Sequence, residues 1–193
     1  MKSAGNKDIL RGHVFIATSL DGFIARRDGD IGWLEEKSIS AARLDGENED
    51  HGYADFLAGM DGIIMGRRTF EKVLTFDSWP FDKPVVVLSR FISAVDLPSD
   101  IAGRVTILNQ PPRAVAEYLA GRGWEHAYID GGQVIQAFLR EGLIADLVIT
   151  RIPILLGDGL PLFGAIEDHT ELRHLGTKAF PSGFVQSRYK VLG

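Results

Sequence analysis

The sequence contains two glycine-containing junctions whose residue types suit the binding of phosphate groups. In the first, Gly66 follows a short apolar run and precedes Arg67, Arg68 and Thr69. Glycine lets a ligand approach the backbone closely, and forked guanidinium groups match phosphate oxygens. Two arginines are unfavourable at the positive end of a helix dipole unless an anion binds there. A solvated arginine pair beside a tight turn fits the same residues, and this junction alone leaves both interpretations open.

The second junction places Gly131 and Gly132 between Asp130 and the pair Gln133 and Val134. Adjacent glycines permit a pyrophosphate to approach the backbone, although the spacing is not the G-x-G-x-x-G pattern of a Rossmann fingerprint. A tight turn without a ligand is the simpler interpretation of this junction by itself. Both junctions follow apolar runs, and ligands of open α/β sheets bind outside the carboxyl ends of strands. The two junctions together therefore favour a phosphate site.

A third candidate for phosphate contact is the pair Ser89 and Arg90, which ends a continuous apolar run. A hydroxyl and a guanidinium suit an extra phosphate on an adenosine ribose. A strand-ending serine beside a surface arginine is the simpler explanation of the pair alone. The pair therefore adds weight only in combination with the two glycine junctions.

These junctions need strands and helices that bring them to one edge of a sheet. Short apolar runs alternate with segments of helical periodicity, in the order β-α-β-α-β-β-α-β-α-β followed by a hairpin. The predicted strands are 13–18, 62–65, 84–88, 105–108, 127–129 and 145–152, with hairpin strands 171–180 and 184–191. Residues 19–36 are predicted to be a loop, followed by a short helix at 37–44, and Asn48 is predicted to cap the next helix. This alternation predicts an α/β fold with a mostly parallel central sheet, helices on both faces and an antiparallel C-terminal hairpin.

The chain is expected to form one domain, residues 13–193, after a flexible polar tail at residues 1–12. It has 193 residues, a formal net charge of −5 and no long basic run, so nucleic acid is not an expected partner. Cysteine is absent and the five histidines are dispersed, so neither thiolate catalysis nor a metal site is predicted. No segment resembles a signal peptide or a bilayer span, and we expect a cytoplasmic protein without a membrane partner.

Together these motifs resemble the dihydrofolate reductase superfamily, especially the branch that includes the reductase domain of bacterial riboflavin biosynthesis. The resemblance covers about residues 13–163, and the hairpin fits the C-terminal strands of the family. Residues 16–25 are similar to the family's first strand and its mobile loop over the nicotinamide. Residues 65–69 are similar to its cofactor-phosphate turn, and residues 88–90 are similar to its ribose-phosphate site. Residues 129–134 are similar to its diphosphate-binding turn.

The resemblance implies a dihydrofolate-reductase-like three-layer fold, NADPH as the hydride donor and a homodimer. Ala17 and Ile24 would flank the nicotinamide. The implied cofactor-binding residues are Ala17, Ile24, Gly66, Arg67, Arg68, Thr69, Ser89, Arg90, Gly131, Gly132, Gln133 and Val134. The implied substrate is a small heterocycle in a cleft walled by Trp33, Tyr53 and Thr150, and Trp33 falls where the family often has a tryptophan.

Two carboxylates are candidates for the catalytic acid, because hydride transfer to a C=N or C=O bond is assisted by protonation of the acceptor. The resemblance implies an acid on the helix before the first phosphate turn, where Asp50 shares the apolar stripe of Tyr53. The helix dipole alone also favours a carboxylate in a first turn, which gives Asp50 a purely structural explanation. Asp21 is the second candidate, although a residue before glycine commonly shapes a turn.

Two departures from the family pattern concern the substrate. Lys83 stands where folate enzymes have an arginine that holds the glutamate tail, which disfavours folate itself. Glu35 and Glu36 follow Trp33, where riboflavin-type reductases help to hold a ribose phosphate, and these carboxylates would repel a phosphorylated substrate. The expected function is NADPH-dependent reduction of a pterin-like, dihydrofolate-like or ribosylaminopyrimidine-like compound. The alternatives are a non-catalytic NADP(H)-binding sensor or interaction protein, and a scaffold without a nucleotide site.

Overall fold

A run of six parallel strands carries the predicted phosphate junctions. The computed structural model describes residues 9–46, 49–93, 95, 97–165 and 169–192. The strands are β1 (Arg11–Ser19), β2 (Phe23–Ala25), β3 (Gly62–Gly66), β4 (Val85–Leu88), β5 (Val105–Leu108), β6 (His126–Asp130), β7 (Ile144–Ile152), β8 (Leu160–Pro161), β9 (Glu171–Ala179) and β10 (Val185–Leu192). The main sheet has the order β5-β4-β3-β6-β1-β7-β10-β9, and β2 pairs with β8 separately. The parallel pairing ends at β10, which runs antiparallel to both of its neighbours, β7 and β9.

Helices cover both faces of this sheet and give it three layers. The described helices are α1 (Gly32–Asp45), α2 (Tyr53–Ala58), α3 (Arg67–Val73), α4 (Pro112–Ala120) and α5 (Gly132–Arg140). On one face, α4 and α5 bury Val115 and Phe138 against the sheet. On the other face, α3 buries Phe70 and Val73. Because both faces are covered, a parallel strand such as β4 is a continuous run of valines, as predicted.

A third apolar cluster joins α1 to the antiparallel end of the sheet. In it, Trp33 and Ala41 of α1 pack with Ile152 of β7 and with Phe180 and Phe184, which flank the hairpin turn. None of the described helices combines the length and the apolar character that a bilayer crossing requires.

The largest difference from the predicted elements is α1, which begins inside the segment predicted to be a loop. Its first residue is Gly32, and the Asp30 carboxylate accepts a hydrogen bond from the Gly32 N–H at 3.1 Å. The glycines and aspartates that indicated a loop therefore form the turn that starts a helix. In the next helix, α2 begins only at Tyr53, while the predicted cap, Asn48, lies outside the described residues.

The N-terminal strand also begins earlier than predicted. Leu10 is fully buried, and the Arg11 N–H donates to the Glu125 carbonyl at 2.9 Å, so residues 10–12 belong to the folded domain. Residues 1–8 of the predicted tail lie outside the described part of the chain. The short pair β2 and β8 was not predicted, because two or three residues are too few to show a strand periodicity.

The start of β3 requires glycine, which gives a test of the fold. A Cβ atom at Gly62 would overlap the Trp124 ring and lie 2.7 Å from the Pro84 carbonyl oxygen. We expect Gly62→Ala to lower the free energy of unfolding by about 2–3 kcal/mol, because neither the backbone nor a packed indole can move easily. Urea unfolding measures this change.

The matched control is Gly103→Ala, because a Cβ atom at Gly103 meets no heavy atom within 4 Å. A loss of stability no larger in Gly62→Ala than in this control would contradict the described packing at the start of β3.

Candidate functional site

The carboxyl ends of the parallel strands open into a cavity of about 1110 Å³. This volume exceeds the roughly 300–1,000 Å³ typical of a pocket for one small ligand, so the cavity has room for a larger molecule or for two. It is lined by every residue of the predicted cofactor-binding set, namely Ala17, Ile24, Gly66, Arg67, Arg68, Thr69, Ser89, Arg90, Gly131, Gly132, Gln133 and Val134.

Strand register explains why the three phosphate junctions meet. Gly66 of β3 pairs with Leu88 of β4 on one side, and Met65 pairs with Asp130 of β6 on the other. The residues that follow each strand therefore emerge side by side at one edge of the sheet. This is the arrangement expected for a ligand site outside the carboxyl ends of parallel strands.

The first junction presents one guanidinium group that is available to an anion. Gly66 is the N-cap of α3, and Arg67 Nη1 donates to Glu71 Oε1 at 2.8 Å one turn along that helix. Arg68 is exposed, lines the cavity and forms no salt bridge with another described residue. Arg68 is therefore the cation of this junction with no counter-charge among the described side chains.

The second junction is in direct contact with the first and fits a group that needs a close backbone approach. Gly131 has φ +88°, and a Cβ atom there would overlap the hydroxyl of Thr69. A Cβ atom at Gly132 would lie 2.8 Å from Ile24 Cδ1. Helix α5 begins at Gly132, so its positive dipole end lies at the cavity wall. Both glycines are needed for a packing reason, and residues 131–134 at the start of α5 line the cavity.

The third junction is held by the hydroxyl of Ser89. Ser89 Oγ accepts hydrogen bonds from the N–H groups of Phe91 at 3.0 Å and Ile92 at 3.1 Å. These bonds fix the turn after β4, while the O–H proton of Ser89 is the group that can be donated to an anion. Arg90 is exposed and lines the cavity beside it.

Asp130 is the acidic residue of the cavity wall, and the sequence reasoning did not assign it a catalytic role. Burial raises the pKa of Asp130 to about 6, and the hydrogen bond from the Gly131 N–H, together with the nearby Tyr128 hydroxyl, offsets this only in part. The Tyr128 hydroxyl donates its single proton to the Phe15 carbonyl at 3.0 Å. The signal in the sequence was an acidic residue that ends an apolar strand directly before two glycines.

Aromatic side chains form a further part of the cavity wall. We call this set the aromatic bay, and its residues are Phe15, Tyr53, Phe76, Phe81 and Tyr128. Within it, Phe15 and Tyr53 pack edge to face with centroids 5.5 Å apart, and so do Tyr53 and Tyr128 at 6.1 Å. The charge of Asp130 acts on both tyrosines. Burial, together with the nearby Asp130 charge, raises the pKa of Tyr53 to about 12, so Tyr53 stays a neutral hydroxyl.

Asp50 does not line the cavity, which corrects its predicted role as the catalytic acid. Its carboxylate accepts the N–H groups of Ala54 at 2.7 Å and Gly52 at 2.8 Å. These two bonds lower the pKa of Asp50 and fix the start of α2. Asp50 therefore has the structural role that the helix dipole alone would explain.

Asp21 likewise lies outside the cavity lining and holds two loops together. Its carboxylate accepts the Ser19 hydroxyl at 2.5 Å, the Gly157 N–H at 2.7 Å and the Leu156 N–H at 3.2 Å. The Ser19 hydroxyl is the main cause of the lowered pKa of Asp21. The predicted turn-shaping role fits this geometry, whereas a direct catalytic role does not.

Of the predicted substrate residues, only Tyr53 lines the cavity. Trp33 is 4% exposed, because it is the second residue of α1 and packs against the two phenylalanines that flank the hairpin turn. Thr150 is 5% exposed, and its hydroxyl accepts a hydrogen bond from Gln186 Nε2 at 3.1 Å. Within the described ranges, no three or more His, Cys, Asp or Glu side chains are placed to hold a metal ion.

Comparison with known proteins identifies the family to which this arrangement belongs. Residues 12–186 match the RibD C-terminal domain family. The chain belongs to this family. The uncharacterized protein YwjB of Bacillus subtilis (strain 168) is 39% identical over 171 residues, which cover 86% of this chain and 90% of YwjB.

Solved structures show the same fold for the RibD C-terminal domain family. A Shewanella sp. PV-4 protein, provisionally named a riboflavin biosynthesis protein, has a TM-score of 0.85 at 36% identity, covering 95% of this chain and 100% of that chain. RibD of Acinetobacter baumannii has a TM-score of 0.67 at 19% identity, covering 96% of this chain but 59% of that one. The predicted dihydrofolate-reductase-like fold and the predicted family are confirmed, and the family is reductase-like.

The raised pKa of Asp130 predicts a pH dependence of stability. The pKa of Asp130 is about 6 in the folded state, whereas the ordinary pKa of an aspartate, which applies to the unfolded chain, is 3.8. The wild type therefore loses stability as the pH rises from about 4 to about 6. An asparagine at this position does not titrate. The free energy of unfolding of Asp130→Asn minus that of the wild type should therefore increase by roughly 1–3 kcal/mol between about pH 4 and pH 6, and it should stay constant above pH 6.

Urea unfolding at a series of pH values measures this difference, and Asp50→Asn is the matched control. Because the pKa of Asp50 is lowered, its contribution is present above about pH 4 and is lost as the pH falls further. The free energy of unfolding of Asp50→Asn minus that of the wild type should therefore decrease as the pH rises, and this change should occur below about pH 4. A flat Asp130→Asn difference between pH 4 and 6 would contradict the described burial of Asp130.

Proposed function

We propose that the protein is an NADPH-dependent reductase of a small, planar heterocycle. The observation that carries this proposal is the cavity itself, which combines three features. The first is the set of three adjacent junctions at residues 66–69, 89–90 and 131–134, which we call the phosphate corners. The other two are the aromatic bay and one protonatable acid, Asp130. The phosphate corners suit a dinucleotide with an additional phosphate, and the bay beside Asp130 suits a flat ring. Membership of a reductase-like family supports the same conclusion.

The residues present fit the cofactor on three grounds. Gly131 and Gly132 leave no space for a Cβ atom and expose the first turn of α5, which suits the diphosphate. Arg68 and Arg90 are exposed in the cavity and form no salt bridge with a described residue, which suits the phosphate that distinguishes NADPH from NADH. Ala17 and Ile24 line the other end, where a nicotinamide ring would find apolar contacts.

Asp130 is the residue that we propose as the proton donor. When bound, NADPH supplies a hydride to the carbon of a C=N or C=O bond, and the neighbouring nitrogen or oxygen then needs a proton. With a pKa of about 6, about a tenth of the Asp130 carboxyls hold a proton at pH 7, whereas almost none would at the ordinary value of 3.8. Burial therefore gives this carboxyl a general-acid function near neutral pH.

The charges around the aromatic bay favour an uncharged substrate. Lys72 lines the cavity near the bay, but its Nζ lies 3.4 Å from Glu35 Oε1. The arginines that line the cavity come from the phosphate corners, at Arg67, Arg68 and Arg90. We therefore propose an unphosphorylated ring, pterin-like or pyrimidine-like, as the hydride acceptor. This agrees with the sequence analysis, in which the carboxylate of Glu35 is expected to repel a phosphorylated substrate.

Cofactor binding is the first test of the proposed function. We expect the wild type to bind NADPH more tightly than NADH, because only NADPH has the phosphate that Arg68 and Arg90 can contact. An Arg68→Ala, Arg90→Ala variant should lose about tenfold or more in NADPH affinity and little in NADH affinity. Isothermal titration calorimetry measures both, with the exposed hairpin variant Arg173→Ala as the control. Equal affinities of the wild type for both cofactors would refute the phosphate assignment.

Turnover is the second test. NADPH consumption with a panel of pterins and unphosphorylated ribosylaminopyrimidines should show activity whose kcat/KM falls as the pH rises above about 6, because Asp130 then loses its proton. Asp130→Asn should reduce kcat by about 10²–10⁴-fold with a smaller change in NADPH affinity. NADPH binding by the wild type without turnover of any compound would instead favour the non-catalytic sensor.

The expected homodimer and cytoplasmic location stay predictions. Strand β9 is exposed along most of its length at the edge of the sheet, which leaves room for a second copy there. Sedimentation analysis of the purified chain measures the oligomeric state directly.

A further inference from the structure

Phe91 is an exposed aromatic side chain in the wall of the cavity, and neither packing nor the phosphate corners account for it. Its side chain belongs to the cavity lining, yet the residue is 76% exposed. A single exposed apolar residue on a convex surface needs no explanation. A phenylalanine that faces a ligand cavity does, because it offers a flat apolar surface to whatever occupies that cavity.

Phe91 is held in a defined place rather than on a free loop end. The Ser89 hydroxyl accepts the Phe91 N–H at 3.0 Å and so fixes the backbone that carries the ring. The guanidinium carbons of Arg67 and Arg90 lie 5.6 Å and 5.7 Å from the ring centroid. Arg67 comes from α3 and Arg90 follows β4, so cations from two different elements converge on one ring. Attraction between a cation and an aromatic face stabilises such a grouping.

The sheet order places Phe91 at one particular end of the proposed cofactor. Phe91 follows β4, whereas Ala17, proposed to contact the nicotinamide, lies in β1. The order β4-β3-β6-β1 separates these strands by three spacings, which is roughly 14 Å. The end of β5 next to Phe91 supplies Asn109 and Gln110 to the lining, and amide side chains suit the hydrogen-bonding edge of adenine.

We propose that Phe91 is the stacking surface for the adenine ring of the dinucleotide, with Arg90, which forms no salt bridge with a described residue, beside it to bind the adjoining phosphate. This inference rests on the proposed function and adds to it a residue that determines affinity for the adenosine half. Bases stack on aromatic side chains in proteins because both have extended π faces. The anionic phosphate would also offset the charge of Arg90 beside the ring, whereas Glu71 already accepts a hydrogen bond from Arg67.

Phe76 provides a matched control within the same cavity. It is also a partly exposed phenylalanine of the lining, at 42%, and it has a cation beside its ring, with Lys72 Nζ 6.0 Å from the centroid. However, Phe76 lies beyond the C-terminal end of α3, whereas Arg67 lies at the N-terminal end. A change at Phe76 should therefore leave the adenosine half of the cofactor unaffected.

The experiment compares three probes by calorimetry: NADPH, adenosine 2′,5′-bisphosphate and reduced nicotinamide mononucleotide, which has no adenine. Phe91→Ala should weaken NADPH and adenosine 2′,5′-bisphosphate by about fivefold or more and leave the mononucleotide unchanged. Phe91→Trp should restore both affinities, because an indole also stacks. Phe76→Ala should not alter binding of adenosine 2′,5′-bisphosphate. Thermal unfolding of each variant establishes that the exposed substitutions keep the fold.

The outcomes separate this inference from the proposed function. If the wild type binds NADPH but Phe91→Ala binds all three probes unchanged, the stacking role is wrong and the proposed function stands. If Phe91→Ala weakens the mononucleotide as much as the bisphosphate, Phe91 is not specific to adenine and the inference is also wrong. If the wild type binds neither NADPH nor the bisphosphate, the proposed function fails and the inference fails with it.

Discussion

The contact between Thr69 and Gly131 joins the two halves of the candidate site. Gly131 has φ +88°, and the Thr69 hydroxyl occupies the position that a side chain at 131 would fill. This close contact lets the N-terminal ends of α3 and α5, which lie on opposite faces of the sheet, reach the same edge. A side chain at residue 131 would push the two helix starts apart and would also strain the backbone. The cavity therefore depends on one missing Cβ atom.

The same packing explains why an acid at the end of β6 holds its proton unusually well. Asp130 lies between Tyr128, which is buried, and Gly131, which is tied to Thr69. The carboxyl is half-buried in the cavity wall, and this partial desolvation disfavours the charged form, so the pKa rises. Asp21 and Asp50 illustrate the contrast, because exposed carboxylates that accept several N–H or O–H groups have lowered pKa values. Environment, rather than residue type, distinguishes the acid from the two structural carboxylates.

The sequence was sufficient to predict the parallel sheet and the meeting of the three junctions at one of its edges, because each depends on local signals. The apolar runs that became β3 and β6 end at Gly66 and at Gly131, and parallel strands bring such ends together regardless of the details of packing. The substrate side was harder, because it depends on where α1 begins. The family resemblance placed Trp33 in the substrate cleft, whereas helix α1, which begins inside the segment predicted to be a loop, packs this side chain in the core. Asp130 was overlooked because a raised pKa is a property of burial, which no spacing reveals.

The position of Asp130 beside the proposed diphosphate position would make the binding of the cofactor and the binding of a proton mutually dependent. Asp130 immediately precedes Gly131, where we propose that the diphosphate lies. An ionised carboxylate there would repel the diphosphate, and a bound diphosphate would in turn disfavour ionisation and raise the pKa of Asp130 above its value of about 6 in the free protein. By linkage, each event favours the other by the same free energy. The cofactor that brings the hydride would therefore also keep the proton on the acid, so that both arrive at the acceptor in one complex.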